Sequence, residues 1–444
     1  MNTANPPSPP PSGHPKALYL LFATEMWERM SYYGMRALLV LYLVDRDHGG
    51  MGYDEKFALH VYGLYTALVY LTPLFGGALA DRFLGARRAA ILGGLAMVLG
   101  HFLMALPGPV FLYTALGCLI VGNGLFKPNI STMVGGLYAP GDSRREGGFT
   151  LFYMGINLGA FLSPLVCGTL GEKWGWHYGF AAAGVGMTIG IVTLLLGKKI
   201  LGDVGLPSSQ KSRADLPSIV GPAAQIERDR IVAILLLSAC TVLYWAAYEQ
   251  AGGLINLFTE GQVDRWLGGW EVPTSWFQSV NPLFIVALAP VISVVWVQMA
   301  RRRRDPAIPT KMGIGILVMS SGFLLMWLAA QHSRSGHKSS MTWIIAFYFL
   351  STLGELCLSP ISLSMVTRLA PPKRASLLMG AYFAFSGIGN YLAGYLGGMS
   401  KSWGAERVFS LIGALTLAMG ALLLVARNSI RRLMHEGPIS SEPA

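Results

Sequence analysis

The segment Glu25-Met26-Trp27-Glu28-Arg29-Met30-Ser31-Tyr32-Tyr33-Gly34 lies inside an apolar run that extends from Ala17 to Val44. It places several charged side chains close together in a run that is long enough to cross a bilayer. Ionisable residues inside a membrane span are costly, and most of them are functional. On a helix, at about 100° per residue, the polar side chains fall within an arc of about 140°. This polar face, which we expect to meet water or a ligand, consists of Glu25, Glu28, Arg29, Tyr32, Tyr33 and Arg36.

The composition indicates a polytopic membrane protein. Of the 444 residues, 53% are hydrophobic and only 13% are charged, whereas a soluble domain carries about 25% charged residues. Twelve apolar runs are long enough to be transmembrane helices. We predict an all-α protein whose spans cover residues 17–44, 57–79, 88–106, 110–135, 149–170, 178–197, 231–259, 275–300, 311–331, 341–366, 375–399 and 405–427.

The segment between the sixth and seventh spans breaks this pattern. Residues 201–230 contain prolines, serines and charges, and they are too few and too polar to include two further spans of about 20 residues each. We therefore predict two six-helix bundles without an extra helix pair between them. The predicted divisions are a disordered tail over residues 1–15, bundles over 16–200 and 231–430, a cytoplasmic linker over 201–230, and a second tail over 431–444.

Membrane topology, rather than nucleic-acid binding, accounts for the net charge of +11. With twelve spans, both termini lie on one side, and the loops there hold more than twice as many lysines and arginines as the opposite loops. The positive-inside rule places that side in the cytoplasm. We predict a multi-pass protein of the cell membrane, the inner membrane of a bacterium. Its basic residues would contact lipid headgroups.

Seven charged side chains lie in the predicted spans away from the span ends. Four are acidic and three are basic, so one carboxylate lacks a partner and should take up a proton readily. Helical rise places Arg36 and Glu249 at one outer level, and Lys127 and Glu355 further inside. Two such gating pairs between the bundles would open one face at a time. The seven residues are Glu25, Glu28, Arg29, Arg36, Lys127, Glu249 and Glu355.

The same charges suggest a link between protons and a ligand. Protonation of Glu249, or of Glu25 or Glu28, would free an arginine for a ligand carboxylate, while Glu355 would face a ligand amine. A site with both charge signs, aromatic walls and amides suits a zwitterion that contains a peptide bond. We assign proton coupling to these four glutamates together with Arg29.

Further motifs extend the pattern over both halves of the chain. They are the run from Phe152 to Gly159, the pair Glu249-Gln250, the run Gln278-x-x-Asn281-Pro282, and Gly354-Glu355 followed by Ser359-Pro360. With the segment Glu25 to Gly34, these motifs resemble the proton-coupled oligopeptide transporter family of the major facilitator superfamily. The resemblance covers nearly all of residues 17–427.

The resemblance implies a major facilitator fold and proton-driven import of di- and tripeptides by alternating access. It implies protons as the coupling ion, no cofactor, no metal and no catalytic residue, and a protein that is functional as a monomer. The implied substrate contacts are Arg29, Tyr32, Tyr33, Arg36, Tyr70, Lys127, Asn157, Trp245, Asn281, Glu355, Ser359 and Tyr382.

The chain departs from the family pattern in three places. Many bacterial members carry two extra helices between the bundles, which residues 201–230 cannot supply. Animal members have a histidine in the second span, where Gly63 stands here, so proton handling would fall on the glutamates. Many bacterial members have a tryptophan where Tyr382 stands, which would change the floor of the pocket.

Several alternatives stay open at the level of sequence. A relative in the same family could carry nitrate, an amino-acid-like metabolite or a drug, and a drug exporter of the wider superfamily would share the fold. A membrane enzyme would need a nucleophile and base or a metal cluster, and no such motif is present. A receptor would have no need for a surplus acid inside the membrane.

Overall fold

The computed structural model describes residues 13–139, 142, 144–206, 222–334, 336–371 and 374–435 of the chain. Most of the predicted first tail, half of the predicted linker and the end of the second tail lie outside these ranges.

The described residues are mostly helical, because a helix satisfies its own backbone hydrogen bonds inside a bilayer. The helices of the first half are α1 (Lys16–Val44), α2 (Glu55–Leu79), α3 (Ala86–Met104), α4 (Pro109–Gly135), α5 (Arg145–Ser163), α6 (Thr169–Trp174), α7 (Trp176–Leu196) and α8 (Lys198–Leu201). Those of the second half are α9 (Pro222–Tyr248), α10 (Leu254–Gln262), α11 (Val280–Arg301), α12 (Ile308–Arg334), α13 (Met341–Leu369), α14 (Ala375–Gly398), α15 (Ser400–Trp403) and α16 (Ala405–Met434).

Ten helical units in the described part of the chain are long and apolar enough to cross a membrane. Two more, α1 and α14, complete the twelve predicted spans. Helix α1 falls outside the apolar group because it carries Glu25, Glu28, Arg29 and Arg36. The prediction of an all-α protein with twelve spanning helices is confirmed.

Several spans are interrupted rather than continuous. The α5 and α6 helices are joined by a π-helical turn, Pro164–Gly168, and α2 ends in another, Ala80–Leu84. The α9 and α10 helices are separated by a 3₁₀ turn, Glu249–Ala251, and by two glycines that follow it. Broken helices in transporters leave backbone groups free near the binding site. The break therefore places Glu249 at a bend rather than on a regular helix.

Short strands occur at one end of the second half. Strand β1 (Val263–Asp264) pairs in parallel with β4 (Ser339–Ser340), and β2 (Trp266–Leu267) pairs antiparallel with β3 (Trp270–Glu271). They tie the loops after α10 and α12 together and close that end of the bundle.

Each half has its own apolar core. Buried residues of one cluster extend from Ala17 to Leu201, and those of the other extend from Ala233 to Met434. The halves approach most closely where α2 meets α14. A Cβ on Gly63 would lie 2.7 Å from the Cα of Gly394, so only glycine permits this approach.

The two ends of the molecule differ in charge. The end at which α1 begins and α16 finishes carries Arg87, Arg144 and Arg303, and we call it the basic end. The other end, which holds the loop after α1 and the four strands, is called the opposite end.

Two predicted domain limits differ from the structure. Helix α9 begins at Pro222 instead of residue 231, and α16 continues to Met434 instead of stopping by residue 430. Polar contacts stabilise these extensions outside the apolar spans. Arg230 Nε donates to the carbonyl of Met434 at 3.3 Å, and the His435 ring lies 2.7 Å from an Asp229 carboxylate oxygen. Hydropathy alone missed these turns because their residues are mostly polar.

Candidate functional site

A cavity of about 270 Å³ lies between the two halves. Both halves supply its wall, so neither bundle contains the site alone. The predicted residues that line it are Glu25, Arg29, Tyr33, Arg36, Tyr70, Lys127, Asn157, Trp245, Asn281, Glu355, Ser359 and Tyr382. Other polar or aromatic lining residues are Ser131, Tyr153, Tyr248, Gln278, Tyr348, Ser351, Phe383 and Ser386.

Two carboxylates share one guanidinium group on α1. Arg29 Nε lies 2.8 Å from Glu25 Oε1 and 2.6 Å from Glu28 Oε2, and the three side chains are at most 4% exposed. The spacing of these residues places all of them on one helical face. Asn123 Nδ2, from α4, donates to the other oxygen of Glu28 at 3.3 Å. The cluster therefore contains two carboxyl groups and one guanidinium group.

A second ionic group joins the two halves. Arg36 Nη1 lies 3.3 Å from Glu249 Oε1, with the two side chains 9% and 3% exposed. Tyr62 OH, from α2, donates to the same Glu249 oxygen at 2.7 Å. The predicted contact between Arg36 and Glu249 is therefore present in the structure. Tyr62 was missed, because sequence reasoning considered its neighbour Gly63 instead.

The predicted contact between Lys127 and Glu355 is not formed in this conformation. Lys127 Nζ lies 4.6 Å from the centre of the Tyr70 ring, and Glu355 Oε2 accepts a hydrogen bond from Asn281 Nδ2 at 3.0 Å. Both side chains line the cavity, and neither forms an ion pair with any residue that the structure describes. Helical rise predicts the depth of each residue in the membrane, but it does not predict their distance in the membrane plane, where the cavity lies between them.

Amide and hydroxyl groups order the remaining wall on the C-terminal side. Asn281 donates to Thr352 Oγ1 at 3.0 Å and accepts from Tyr248 OH at 3.2 Å. The hydroxyl of Tyr382 lies 2.9 Å from Ser362 Oγ. These bonds hold the polar groups in place, and they leave Glu355 as the carboxylate that this half contributes to the cavity.

The predicted substrate contact Tyr32 has a different position. It is 3% exposed and does not line the cavity, and its ring packs edge-on against Tyr33 with 5.1 Å between ring centres. Glu28 and Glu249, which were predicted for proton coupling and gating, also lie behind the wall. They contact lining residues through the ion pairs already described.

The halves are joined toward the opposite end. Glu172 accepts from the backbone amides of Thr274 and Ser275 at 2.6 and 2.8 Å, and Asn256 Nδ2 donates to the Ala37 carbonyl at 2.9 Å. Further polar contacts toward that end pair Trp276 with Thr169, Ser279 with Phe161, and Lys401 with Asp54.

The cavity is open toward the basic end. Ser131 and Leu363 line it near the basic ends of α4 and α13, and both are exposed, Leu363 to 42%. Among the described residues, the hydrogen bonds and ion pairs between the halves lie at the depth of the cavity or nearer the opposite end. The structure is therefore closed on one side of the cavity and open on the other.

Comparison with known proteins identifies the family. The family model described as the POT family matches residues 87–214 and 220–409. The chain belongs to the POT family. It is 37% identical to the peptide transporter YePEPT of Yersinia enterocolitica subsp. palearctica, over 95% of this chain and 96% of that protein. It is 32% identical to the di-/tripeptide transporter of Lactococcus lactis subsp. cremoris, over 96% and 97% of the two chains.

A solved structure agrees with this POT-family assignment. The crystal structure of a peptide transporter POT in complex with sulfate matches with a TM-score of 0.87 and 35% identity, over 96% of this chain and 97% of that one. The predicted family and its twelve-helix fold are thus confirmed, and the POT family is a family of transporters. The alignment with the Yersinia protein runs over 489 positions, against 444 residues here. The relative therefore has residues that this POT-family chain lacks.

Proposed function

We propose that the protein imports di- and tripeptides together with protons, by alternating access. The observation that carries the proposal is the charge distribution in the cavity. Cations come from the N-terminal half, at Arg29, Arg36 and Lys127, and Glu355 faces them from the C-terminal half. A short peptide is a zwitterion with its charges at its two ends, so it would bridge the halves. The relatives named as peptide transporters support the same substrate class.

The cavity also suits a short peptide in size and lining. Its volume of about 270 Å³ lies just below the usual range for small-molecule sites, about 300–1,000 Å³. The amides of Asn157 and Asn281 would bond to the peptide group, and Tyr33, Tyr70 and Trp245 would contact side chains. A free peptide carboxylate would be bound by the N-terminal cations, and the free amine by Glu355.

Proton coupling would depend on the cluster around Arg29. Glu25 and Glu28 share one guanidinium group, so protonation of one carboxylate leaves a complete ion pair with the other. Protonation of both would leave Arg29 available to a peptide carboxylate. Breaking a buried ion pair costs about 3–5 kcal/mol unless a new partner replaces the lost one. Proton and peptide would therefore bind with mutual dependence, with no cofactor required.

Gating would exchange one ion pair for another. In this conformation Arg36 and Glu249 are in contact at the closed side of the cavity. Lys127 and Glu355 face the cavity from opposite halves without an ion pair among the described residues. Closure of the basic end would bring these two together, and the loss of the Arg36–Glu249 contact would open the opposite end.

Location and assembly follow from the same reasoning. We place the basic end in the cytoplasm of a bacterial cell, because lysines and arginines concentrate in cytoplasmic loops. One chain supplies both walls of the cavity, which supports function as a monomer. The structure would then be open to the cytoplasm.

Uptake of labelled dialanine into liposomes tests the proposal. We expect accumulation only with an inward proton gradient, and uptake that is indifferent to the gradient would refute coupling. A competition panel of dipeptides, tripeptides, free amino acids and nitrate tests the substrate class. Competition by nitrate or a free amino acid as strong as that by dialanine would favour a carrier of another solute.

The variant Glu28→Gln separates coupling from binding. It removes one of the two carboxylates at Arg29 and keeps the size of the side chain. We expect loss of gradient-driven uptake with counterflow exchange of dialanine retained. Loss of both activities would place Glu28 in binding instead, and retention of both would remove it from the mechanism.

A further inference from the structure

A second cavity lies at the basic end of the C-terminal half. Its volume is about 430 Å³, and it shares no lining residue with the central cavity. The loop between α11 and α12 forms one wall, and the ends of α13 and α16 form the other. Its charged lining residues are Arg303, Asp305, Lys311, Arg368 and Arg431. Four cations thus meet one carboxylate in the same crevice.

The single carboxylate is already engaged. Asp305 Oδ1 lies 2.8 Å from Lys311 Nζ, and Lys311 is 8% exposed, with its amine 4.8 Å from the centre of the Trp296 ring. Arg303 and Arg431 form no side-chain hydrogen bond or ion pair with any described residue. The crevice therefore retains an excess of positive charge after its internal pair is counted.

The fold brings these two arginines together from distant parts of the chain. Arg303 has a φ of +54°, in the left-handed region, at the tight turn that ends α11. Arg431 lies on the last turns of α16, which continue past the apolar span. The contact between Arg230 and the Met434 carbonyl anchors that extension against α9. Topology alone requires basic residues near the membrane surface, and it does not require them to line one crevice.

The helix that ends at the crevice carries exposed apolar side chains. Helix α11 ends at the crevice, and Val291, Val294 and Val297 on it are 55%, 53% and 48% exposed. Such a surface accepts acyl chains. An anion bound in the crevice would therefore lie at headgroup level, next to a lipid-facing helix.

We propose that this crevice binds the phosphate group of an anionic phospholipid. Guanidinium groups bind phosphate oxygens through paired hydrogen bonds, and basic pockets between helices on the cytoplasmic side of a membrane bind anionic headgroups. Arg303 and Arg431 hold the phosphate, and the valines of α11 contact the acyl chains. A soluble phosphate shares the headgroup chemistry but makes no use of the apolar surface.

Lipid binding to the full-length protein tests this site without any transport measurement. Phosphatidylglycerol and phosphatidylcholine are titrated against the purified protein in detergent, and bound lipid is counted by native mass spectrometry. The test variant is Arg303→Gln with Arg431→Gln. The matched control is Arg302→Gln with Arg304→Gln, which removes the same charge from exposed residues outside the crevice. Unfolding temperatures of all variants confirm that each is folded.

We expect the native protein and the control to bind phosphatidylglycerol in preference to phosphatidylcholine. The test variant should bind phosphatidylglycerol about 25-fold more weakly, about fivefold for each arginine lost. If the double variant fails to fold, the two single variants give the same comparison. The variant Arg303→Lys with Arg431→Lys keeps the charge but loses the guanidinium groups. Its affinity for phosphatidylglycerol should lie between those of the native protein and the test variant.

Three results would overturn the proposal. The first is equal weakening of binding in the test and control variants, and the second is no preference for phosphatidylglycerol in the native protein; either would mean that the arginines serve membrane topology alone. The third concerns inorganic phosphate, measured by its effect on the unfolding temperature. Stabilisation of the native protein but not the test variant, with unchanged phosphatidylglycerol binding in both, would assign the site to a soluble phosphate.

Discussion

The two cross-bundle pairs expected from the sequence differ in this structure. Arg36 and Glu249 lie within 3.3 Å of each other on the closed side of the cavity, whereas Lys127 and Glu355 face the cavity without pairing among the described residues. Both pairs were predicted from the same property, the depth of each residue along its helix. The difference shows that depth establishes which charges lie at one level, while the conformation determines which of them touch.

Removal of one partner of the closed pair should have the largest effect. Glu249→Ala leaves Arg36 buried with an uncompensated charge, which costs about 3–5 kcal/mol of unfolding free energy. The double variant with Arg36→Ala should lose less than the sum of the two single variants. Thermal unfolding of the four proteins measures this coupling. Strictly additive losses would mean that the contact contributes nothing to stability.

Lys127→Gln should affect transport more than stability. The substitution removes a contact with the Tyr70 ring, worth about 0.5–2 kcal/mol, and no ion pair with a described residue. A lost charged contact to the peptide would reduce driven uptake about ten- to a hundredfold. Uptake of dialanine and the unfolding temperature are measured together. Thr132→Ala, on the same helix but outside the cavity lining, serves as control. A destabilisation as large as that of Glu249→Ala would imply a hidden ionic partner.

Tyr62→Phe should have a smaller effect on the closed pair. It removes the hydroxyl that donates to Glu249 at 2.7 Å but leaves Arg36 in place. We expect the free energy of unfolding to fall by about 1.5 kcal/mol, the low end of the range for a hydrogen bond to a charged group. Tyr65→Phe is a matched control, because Tyr65 lies on the same helix and its buried hydroxyl has no hydrogen-bond partner among the described residues. Equal losses in both variants would remove the assigned role of Tyr62.

The smallest effect is expected in the loop before α5, at the basic end. Hydrogen bonds from Arg144 lower the pKa of Asp142 to about 2, so the carboxylate stays ionised above that pH. The contribution of this carboxylate to the stability of the folded protein is fully present above its ordinary pKa of 3.8. That contribution is lost only as the pH falls toward about 2. Asp142→Asn should therefore leave the pH profile of uptake between about pH 5 and 8 unchanged in shape. A shifted midpoint would place this loop in the proton pathway.

Much of the site could be predicted because its signals are local. The charges of α1 are anomalous in an apolar run, and the spacing of Glu25 and Arg29 places them in contact on one helix. The glycine-rich sequence of α14 is likewise local, and the structure places Gly394 of that helix against Gly63 of α2. In each case the information lies within one helix turn or one span.

The rest of the site depends on relations between helices. The sequence does not distinguish Tyr62 from the other tyrosines of the predicted spans. Its role becomes visible only in the structure, where α2 packs against the bend at Glu249. Tyr32 belongs to the polar face of α1 by its angle, yet Tyr33 is the neighbour that reaches the cavity. A helical wheel gives directions around one axis and carries no information about what lies beyond it.

The sequence by itself determined the membrane class, the twelve spans, the surplus carboxylate and the family, because hydropathy, charge and motif spacing are properties of short stretches. Only the tertiary structure decided which side of the cavity is closed, which charges pair across it, and which basic residues meet in the second crevice. Those outcomes depend on distances, in the membrane plane, between helices that are far apart in the chain. No periodicity records such distances, since they are set by how the two bundles pack against each other.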